Sequence, residues 1–414
     1  MRDQARLLDA DDPETRRSWW IATASMLIIF VGWGAPYVVA VALKPIAADL
    51  AVPRSIPSFA TSLAYIGSGV GGIVMGWWAD RVGVLWPVLL GSLMVGLGAM
   101  VASGGSVWQL YVGYGLMVGL LGNSATFAPL MANSSRWFGR RRGTALALVA
   151  SGQQIAGTVW PPIFRYGLDS IGWRATLIWY GVAALAIMLP LCAVLRHRPP
   201  PVSARVAAEE ASRPAFPLGL PPNLVQALLC VAIVCCCVAM ALPMAHLVAF
   251  CSDLGFAPAR GAEMLSLLLG SAFLSRMLWG RLSDWLGGLR TVLIGTTAQA
   301  VFLSCYTFVD DLWALYGVSA AFGIGFGGII PSYVLTLRDL FPASEAGWRI
   351  GTLLLFGLVG MAIGAWLGGY VFDWFAAYEP AFAIGVAFNI LAVALVGALV
   401  LRGGRPRQSS LLAA

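Results

Sequence analysis

Gly76-Trp77-Trp78-Ala79-Asp80-Arg81-Val82-Gly83 is met again 204 residues later as Gly280-Arg281-Leu282-Ser283-Asp284-Trp285-Leu286-Gly287. Each copy closes a long apolar run. A second set of positions repeats at an offset of 208, with Gly143-Thr144, Leu146, Gly152 and Ile155 answering Gly351-Thr352, Leu354, Gly360 and Ile363. Two nearly equal offsets in one chain argue for two parallel copies of one half. Such copies are related by an axis along a membrane normal, with a substrate site at the midplane between them.

The composition around the copies agrees. The 414 residues are 59% hydrophobic and 11% charged, with a mean hydropathy of +0.81. A soluble domain carries about 25% charged residues and needs a polar skin, so lipid must be the solvent for most of this chain. The net charge of +7 does not point to nucleic acid, because the cations sit in short loops between apolar runs. The first 18 residues are polar, and the run from Trp19 is too long for a signal core and lacks a convincing cleavage site.

A spanning helix needs about 20 mainly apolar residues. That ruler predicts helices over 19–43, 58–78, 85–103, 108–133, 143–164, 175–195, 224–251, 262–280, 290–309, 312–337, 350–372 and 379–401. The expected fold is an all-α membrane protein of twelve transmembrane helices in two six-helix bundles, 19–195 and 223–401. A Pro-, Ala- and Arg-rich linker over 196–222 joins them, with polar tails over 1–18 and 402–414. Of the 26 Lys and Arg, twenty, Arg349 among them, fall in segments on the side of the termini. Five (Lys44, Arg54, Arg165, Arg174 and Arg260) fall on the other, and Arg276 falls on neither. This bias places both termini in the cytoplasm. One lysine among so many arginines hints at a GC-rich bacterial genome, and so at a bacterial inner membrane.

The G-x-x-x-D-R-x-G stretch, repeated, resembles the signature of the major facilitator superfamily. The resemblance implies alternating access between two rocking halves. Gly76 and Gly280, with Gly83 closing the first copy, would let helices approach closely. Asp80 and Asp284 would face a neighbouring helix N-terminus, worth about 0.3–1 kcal/mol each, with Arg81 beside the first. A narrower resemblance starts at Arg136-Trp137-Phe138-Gly139-Arg140-Arg141-Arg142-Gly143-Thr144-Ala145-Leu146-Ala147 and continues to Ser151-Gly152. It is similar to the signature of the monocarboxylate porter family, which includes animal monocarboxylate transporters and bacterial oxalate/formate-type antiporters. Gly32-Trp33-Gly34-Ala35, and Pro243-Met244-Ala245-His246-Leu247 followed by Asp253-Leu254-Gly255, fit that family as well.

Arg276 is the first candidate for substrate binding. It lies within Ser266–Trp279, an apolar stretch without another charge. Its guanidinium cannot shed its proton. Charge at mid-membrane costs about 2.5–3.5 kcal/mol on insertion scales, so such a group faces a cavity and has a partner. Its fork of donors matches a carboxylate in two bonds. The competing reading is an arginine snorkelling to the cytoplasmic interface. The resemblance favours binding, since monocarboxylate porters carry an arginine at this place.

His246 and Asp253 are seven apart and share a helix face. They read either as a proton path or as an interhelical hydrogen-bonder and a helix cap. Tyr37, Asn123, Gln153 and Tyr333 stand on the first, fourth, fifth and tenth helices, which line the cavity in the superfamily. The bland alternative is a bond to a neighbouring helix worth about 0.6 kcal/mol. Cys235, Cys236 and Cys237 point about 100° apart on a helix and cannot share one ion, so they read as packing residues.

Two departures from the family bear on coupling, which the first moves to His246 and Asp253, and on cargo. Tyr37 and Ala272 occupy the places of a lysine and an aspartate in animal members, and 353–370 lacks the second cation of the oxalate branch. One fixed cation suits one carboxylate. The expected function is therefore secondary transport of a small organic monoanion such as lactate or pyruvate, with a proton as partner and a monomer as the transport unit. Rival readings are a carboxylate exchanger, a drug efflux pump and a non-transporting sensor. No nucleophile motif, metal-ligand cluster or phosphate loop points to an enzyme, a metal or a cofactor.

Overall fold

The computed structural model describes residues 15–138, 141–197 and 219–403, and among them every regular element is helical. The chain runs α1 (Arg16–Asp49, interrupted at Trp33), α2 (Ser55–Val82), α3 (Leu85–Ala102), α4 (Val107–Ser135), α5 (142–171) and α6 (173–192). It continues as α7 (Pro222–Asp253), α8 (Pro258–Leu286), α9 (Gly288–Cys305), α10 (Leu312–Leu340), α11 (Ala343–Phe375) and α12 (Glu379–Gly403).

Among the described residues ten helical runs are long and apolar enough to cross a membrane, and the longest of them, Thr144–Arg196, spans 53 residues. That run breaks at Gly172, whose φ of +77° ends one helix and starts the next, so it supplies both α5 and α6. The 18-residue α9, diluted by Arg290 and Gln299, completes the expected twelve. The tails over 1–14 and 404–414 and most of the expected linker, 198–218, lie outside the described residues.

The duplication is written into the backbone. Left-handed φ values occur at Ala51 and Gly255, at Gly83 and Gly287, and at Gly172 and Ala376, each pair 204 residues apart. Glycine takes this conformation freely, whereas a Cβ there costs roughly 1–2 kcal/mol. Ala51 and Ala376 hold it nonetheless, because the turn they make is the one the other half makes with glycine.

Two seams join the halves: α2 lies along α11, and α5 lies along α8. The repeat exchanges these two pairs, and α1 meets α7 beside the axis. The turns after α2 and α8 share one face of the bundle with the start of α1 and the end of α12, here called the terminal face; the opposite one is the distal face. From the distal face inward, the α2–α11 seam pairs Ser55 with Asp373 and Ser58 with Gly369. It then pairs Ser62 with Ala362, through a hydroxyl-to-carbonyl bond of 2.6 Å, and Gly69 with Leu355. Beyond that point it parts. A Cβ built on Gly76, Gly280 or Gly351 would meet nothing within 4 Å.

Outward-facing side chains are large and apolar, with Trp285 81%, Phe308 85% and Trp313 77% exposed. A bilayer is the solvent in which such a surface is stable.

Candidate functional site

Three helices lose regular geometry midway along their length. α1 breaks at Trp33, α4 carries a π-helical stretch over Val112–Asn123, and α10 breaks at Gly327 and Gly328. In lipid each freed carbonyl needs a donor. At the α1 break aromatic side chains supply them. The Trp160 indole donates to the Phe30 carbonyl at 3.0 Å, the Tyr180 hydroxyl to Val31 at 2.5 Å, and the Tyr114 hydroxyl to Ala35 at 3.0 Å.

At the α10 break the donors are the Trp279 indole, bonded to the Ile324 carbonyl at 2.6 Å, and Arg276, whose Nε reaches the Gly327 carbonyl at 3.4 Å. Arg276 thus stands, half-buried, at the carbonyl end of the first segment of α10, where a helix dipole favours a cation. Among the described residues it makes no ion pair, and Nε alone is engaged. Both Nη groups stay available to an anion.

The α5–α8 seam brings Arg276 toward two more of the sequence-predicted residues. Gly157 on α5 is met by the Tyr37 hydroxyl end from α1 and by Leu269 from α8. Gln153 lies one turn from Gly157, and Arg276 two turns from Leu269, each on the same helix face and each toward the terminal face. Tyr37, Gln153 and Arg276 therefore line one seam.

Asn123 and Tyr333 lie elsewhere. Asn123 packs against Gly32 inside the first half, and Tyr333 is enclosed in the second; the Asn123 Oδ1 and the Tyr333 hydroxyl are buried and have no partner among the described residues. The Trp33 Nε1, at the α1 break and 6.4 Å ring to ring from Tyr65, is also unpartnered. The cysteines are free and their run is buried, with the Cys236 thiol donating to Gln299 Oε1 at 3.1 Å.

His246 is fully buried between α7 and α11. Its Nε2 lies 2.8 Å from the Ala365 carbonyl, its ring 5.2 Å from that of Tyr378, and its Nδ1 has no partner among the described residues. A carbonyl only accepts, so Nε2 carries a proton, and in the neutral ring the lone pair is at Nδ1.

Asp253, read from the sequence as a helix cap or a proton carrier, is held in ion pairs. As the last residue of α7 it meets the negative end of the helix dipole, where an anion is disfavoured without cations. Lys44 Nζ at 2.8 Å and the Arg54 guanidinium supply them. No hydrogen bond joins Asp253 to His246 among the described residues.

The signature around Asp80 also differs from expectation. Asp80 is exposed and makes no hydrogen bond among the described residues, while Arg81 lies over the Trp77 ring at 3.9 Å. Gly76 and Gly280 have open space rather than a neighbouring helix, and Gly83 makes a left-handed turn. The expected contacts require the halves to meet at the terminal face, and there they stand apart. Arg141 is exposed at the N-terminus of α5. Arg140 and the side chains of Arg142 and Asp284 lie outside the described residues.

Arg349, counted among the loop cations, is instead 3% exposed. It donates to Glu345 at 2.9 Å and to Asn223 Oδ1 at 3.3 Å, and it lies over the rings of Phe341 and Trp348. Its position in sequence, between apparent loop and apolar run, hid the polar side chains that α7 brings to it.

Comparison with known proteins agrees with this architecture. The sequence profile of the Major Facilitator Superfamily matches residues 22–274 and, separately, 227–413. The MFS-type transporter pynF of Aspergillus niger is 26% identical over 370 residues, covering 87% of this chain and 83% of its own length. Monocarboxylate transporter 13 of Bos taurus is 28% identical over 344 residues, 80% of this chain and 76% of its own. The crystal structure of a bacterial homolog to the human lysosomal transporter Spinster, in an inward-facing and occupied conformation, superposes with a TM-score of 0.69 at 16% identity, covering 94% of this chain and 96% of that one. With the profile matching both halves and the helices disposed accordingly, this chain belongs to the major facilitator superfamily and is a multi-pass membrane transporter, similar in sequence to monocarboxylate transporters.

Proposed function

We propose that the chain carries a small organic monoanion across the bacterial inner membrane by alternating access, its carboxylate bound by Arg276, with both termini in the cytoplasm. The observation that supports this is a guanidinium set within α8 with one long bond to a backbone carbonyl and, among the described residues, no acid of its own. A carboxylate would complete it through two charge-assisted bonds. Tyr37 and Gln153 on the same seam supply neutral hydrogen-bonding groups for the rest of a small cargo. Similarity to monocarboxylate transporters supports the same class.

His246 is the candidate for proton coupling, through the unpartnered Nδ1. One proton carried with one monoanion moves no net charge. Uptake would then follow the pH gradient, about 1.4 kcal/mol per unit, and ignore a membrane potential of about 2.3 kcal/mol per 100 mV. In proteoliposomes, an imposed pH gradient is expected to drive labelled lactate or pyruvate uptake and voltage alone is not. Voltage-driven uptake without a pH gradient would refute electroneutral symport.

Anion exchange is the second reading. The full enclosure of His246 between α7 and α11, off the Arg276 seam, favours it. Counterflow that needs an internal carboxylate and ignores pH would select it. Arg276 itself is tested by ligand-induced thermal stabilisation: small carboxylates should raise the melting temperature of the native protein and leave that of Arg276→Gln unchanged. A full response in the variant would move the site elsewhere.

A further inference from the structure

Each half ends two helices at the distal face with an aspartate. Asp49 and Asp253 are the last residues of α1 and α7; Asp169 and Asp373 lie in the last turns of α5 and α11. The members of both pairs are 204 residues apart, the offset that relates the halves. An acid at a helix C-terminus opposes the dipole, so all four need cations or N–H donors.

The two halves meet that need in opposite ways. The first half does so within itself. Asp49 accepts from Arg174 Nη2 at 2.6 Å, and Asp169 pairs with Arg165 one turn back on α5. The second half borrows. Asp253 is held by Lys44 and by Arg54, whose Nη2 donates at 2.9 Å. Asp373 accepts the backbone N–H groups of Arg54 and Ser55, each at 2.9 Å, and so caps the N-terminus of α2 from the other half. Among the described residues neither acid has a partner from its own half. The Arg54 guanidinium, with the side chain 15% exposed, also lies 3.6 Å over the Phe372 ring and donates to the Tyr378 hydroxyl at 3.2 Å.

We propose that the Arg54–Ser55 turn is the latch that holds the distal face shut, gripping α7 through Asp253 and α11 through Asp373. Backbone and side chain of one residue serve both acids, so withdrawal of α2 from α11 breaks both grips together. Every bond of the latch crosses between the halves and is made only in the distally closed state. Such contacts bias a two-state equilibrium, whereas contacts kept in both states do not. The cis-paired Asp49 and Asp169 keep their partners whichever face is open. The latch is therefore one-sided, although the acids are duplicated. The inference concerns the conformational balance and does not depend on which cargo is carried.

The test uses the full chain with Cys305→Ser, in lipid nanodiscs without added substrate. Spin labels at Tyr166 and Phe308 report the distal separation of the halves, and labels at Trp20 and Leu401 the terminal separation; both distances are read by pulsed dipolar spectroscopy. Asp373→Ala and Arg54→Gln are each expected to lengthen the distal distance in part of the population and to shorten the terminal one. The ratio of distally open to closed molecules should rise about tenfold, equivalent to about 1.4 kcal/mol. Asp49→Asn and Asp169→Asn should leave both distributions as they were.

A Ser58→Cys/Gly369→Cys disulfide across the seam should restore the short distal distance to Asp373→Ala when oxidised and release it on reduction. That reversibility separates a shifted balance from damage. If folded Asp373→Ala and Arg54→Gln keep native distance distributions, the latch is refuted. If the first-half variants shift the balance equally, its one-sidedness is refuted.

Discussion

The two ends of the α2–α11 seam are built by the same two helices and differ in almost every contact. At the distal end Asp373 caps α2, Gly369 lets Ser58 approach, and Ser62 bonds across to Ala362. At the terminal end Gly76 and Gly351 face open space and Asp80 is exposed. The contrast teaches that the seam behaves as a zip closed to about Gly69 and Leu355 and parted beyond. Arg276 on the other seam lies toward the parted end. A bound anion there would be reached from the terminal face and sealed from the distal one.

The largest expected effect falls where the seam parts. Arg276→Gln should lower carboxylate uptake in proteoliposomes roughly 10–100-fold, the worth of about 1.5–3 kcal/mol for hydrogen bonds to a charged group. An unchanged rate would mean that the parted end holds no anion site. Next comes the zipped end. Gly369→Leu drives side-chain atoms into Ser58 and the Arg54 backbone, and overpacking costs about 1–3 kcal/mol. It should lower the melting temperature or open the distal face, and native behaviour on both counts would contradict the close approach.

Trp160→Phe sharpens the comparison by acting on the α1 break, away from both ends. It strands the Phe30 carbonyl, which costs about 1–3 kcal/mol when buried, and should lower the melting temperature while leaving both inter-half distances intact. The smallest effect belongs to Gly76→Ala. It meets open space here, so unfolding free energy should change by no more than about 1 kcal/mol, in the stabilising direction that alanine has over glycine within a helix. Because the same methyl would obstruct a terminal face closing on its neighbour, it should slow turnover instead. Loss of stability without loss of turnover would reverse the contrast drawn between the two ends.

Arg276 stood out in the sequence because a lone charge in Ser266–Trp279 is costly in hydrocarbon, and the structure adds the Gly327 carbonyl that its Nε meets. Asp253 was visible as a charge at a helix end, but its role was not, since Lys44 and Arg54 are 209 and 199 residues away in sequence. The offset that exposed the repeated signature also pairs Asp49 with Asp253 and Asp169 with Asp373; following it through every acid would have singled out the latch residues. Arg349 shows the converse error. Charge counting assigned it to a loop, whereas Asn223 and Glu345 hold it in the packed end of α11.

Composition and the lengths of the apolar runs determined that the chain lives in lipid and crosses it about twelve times, because hydrocarbon imposes its thickness and apolarity on each span independently of every other, and the residues repeated at an offset of 204 determined that its halves are copies. Which acids pair within a half and which across, and which end of the seam is shut, were settled only when the helices packed. The acids' contacts across the halves join residues 199 to 319 positions apart, and no local pattern encodes which of two equivalent aspartates finds its cation at home.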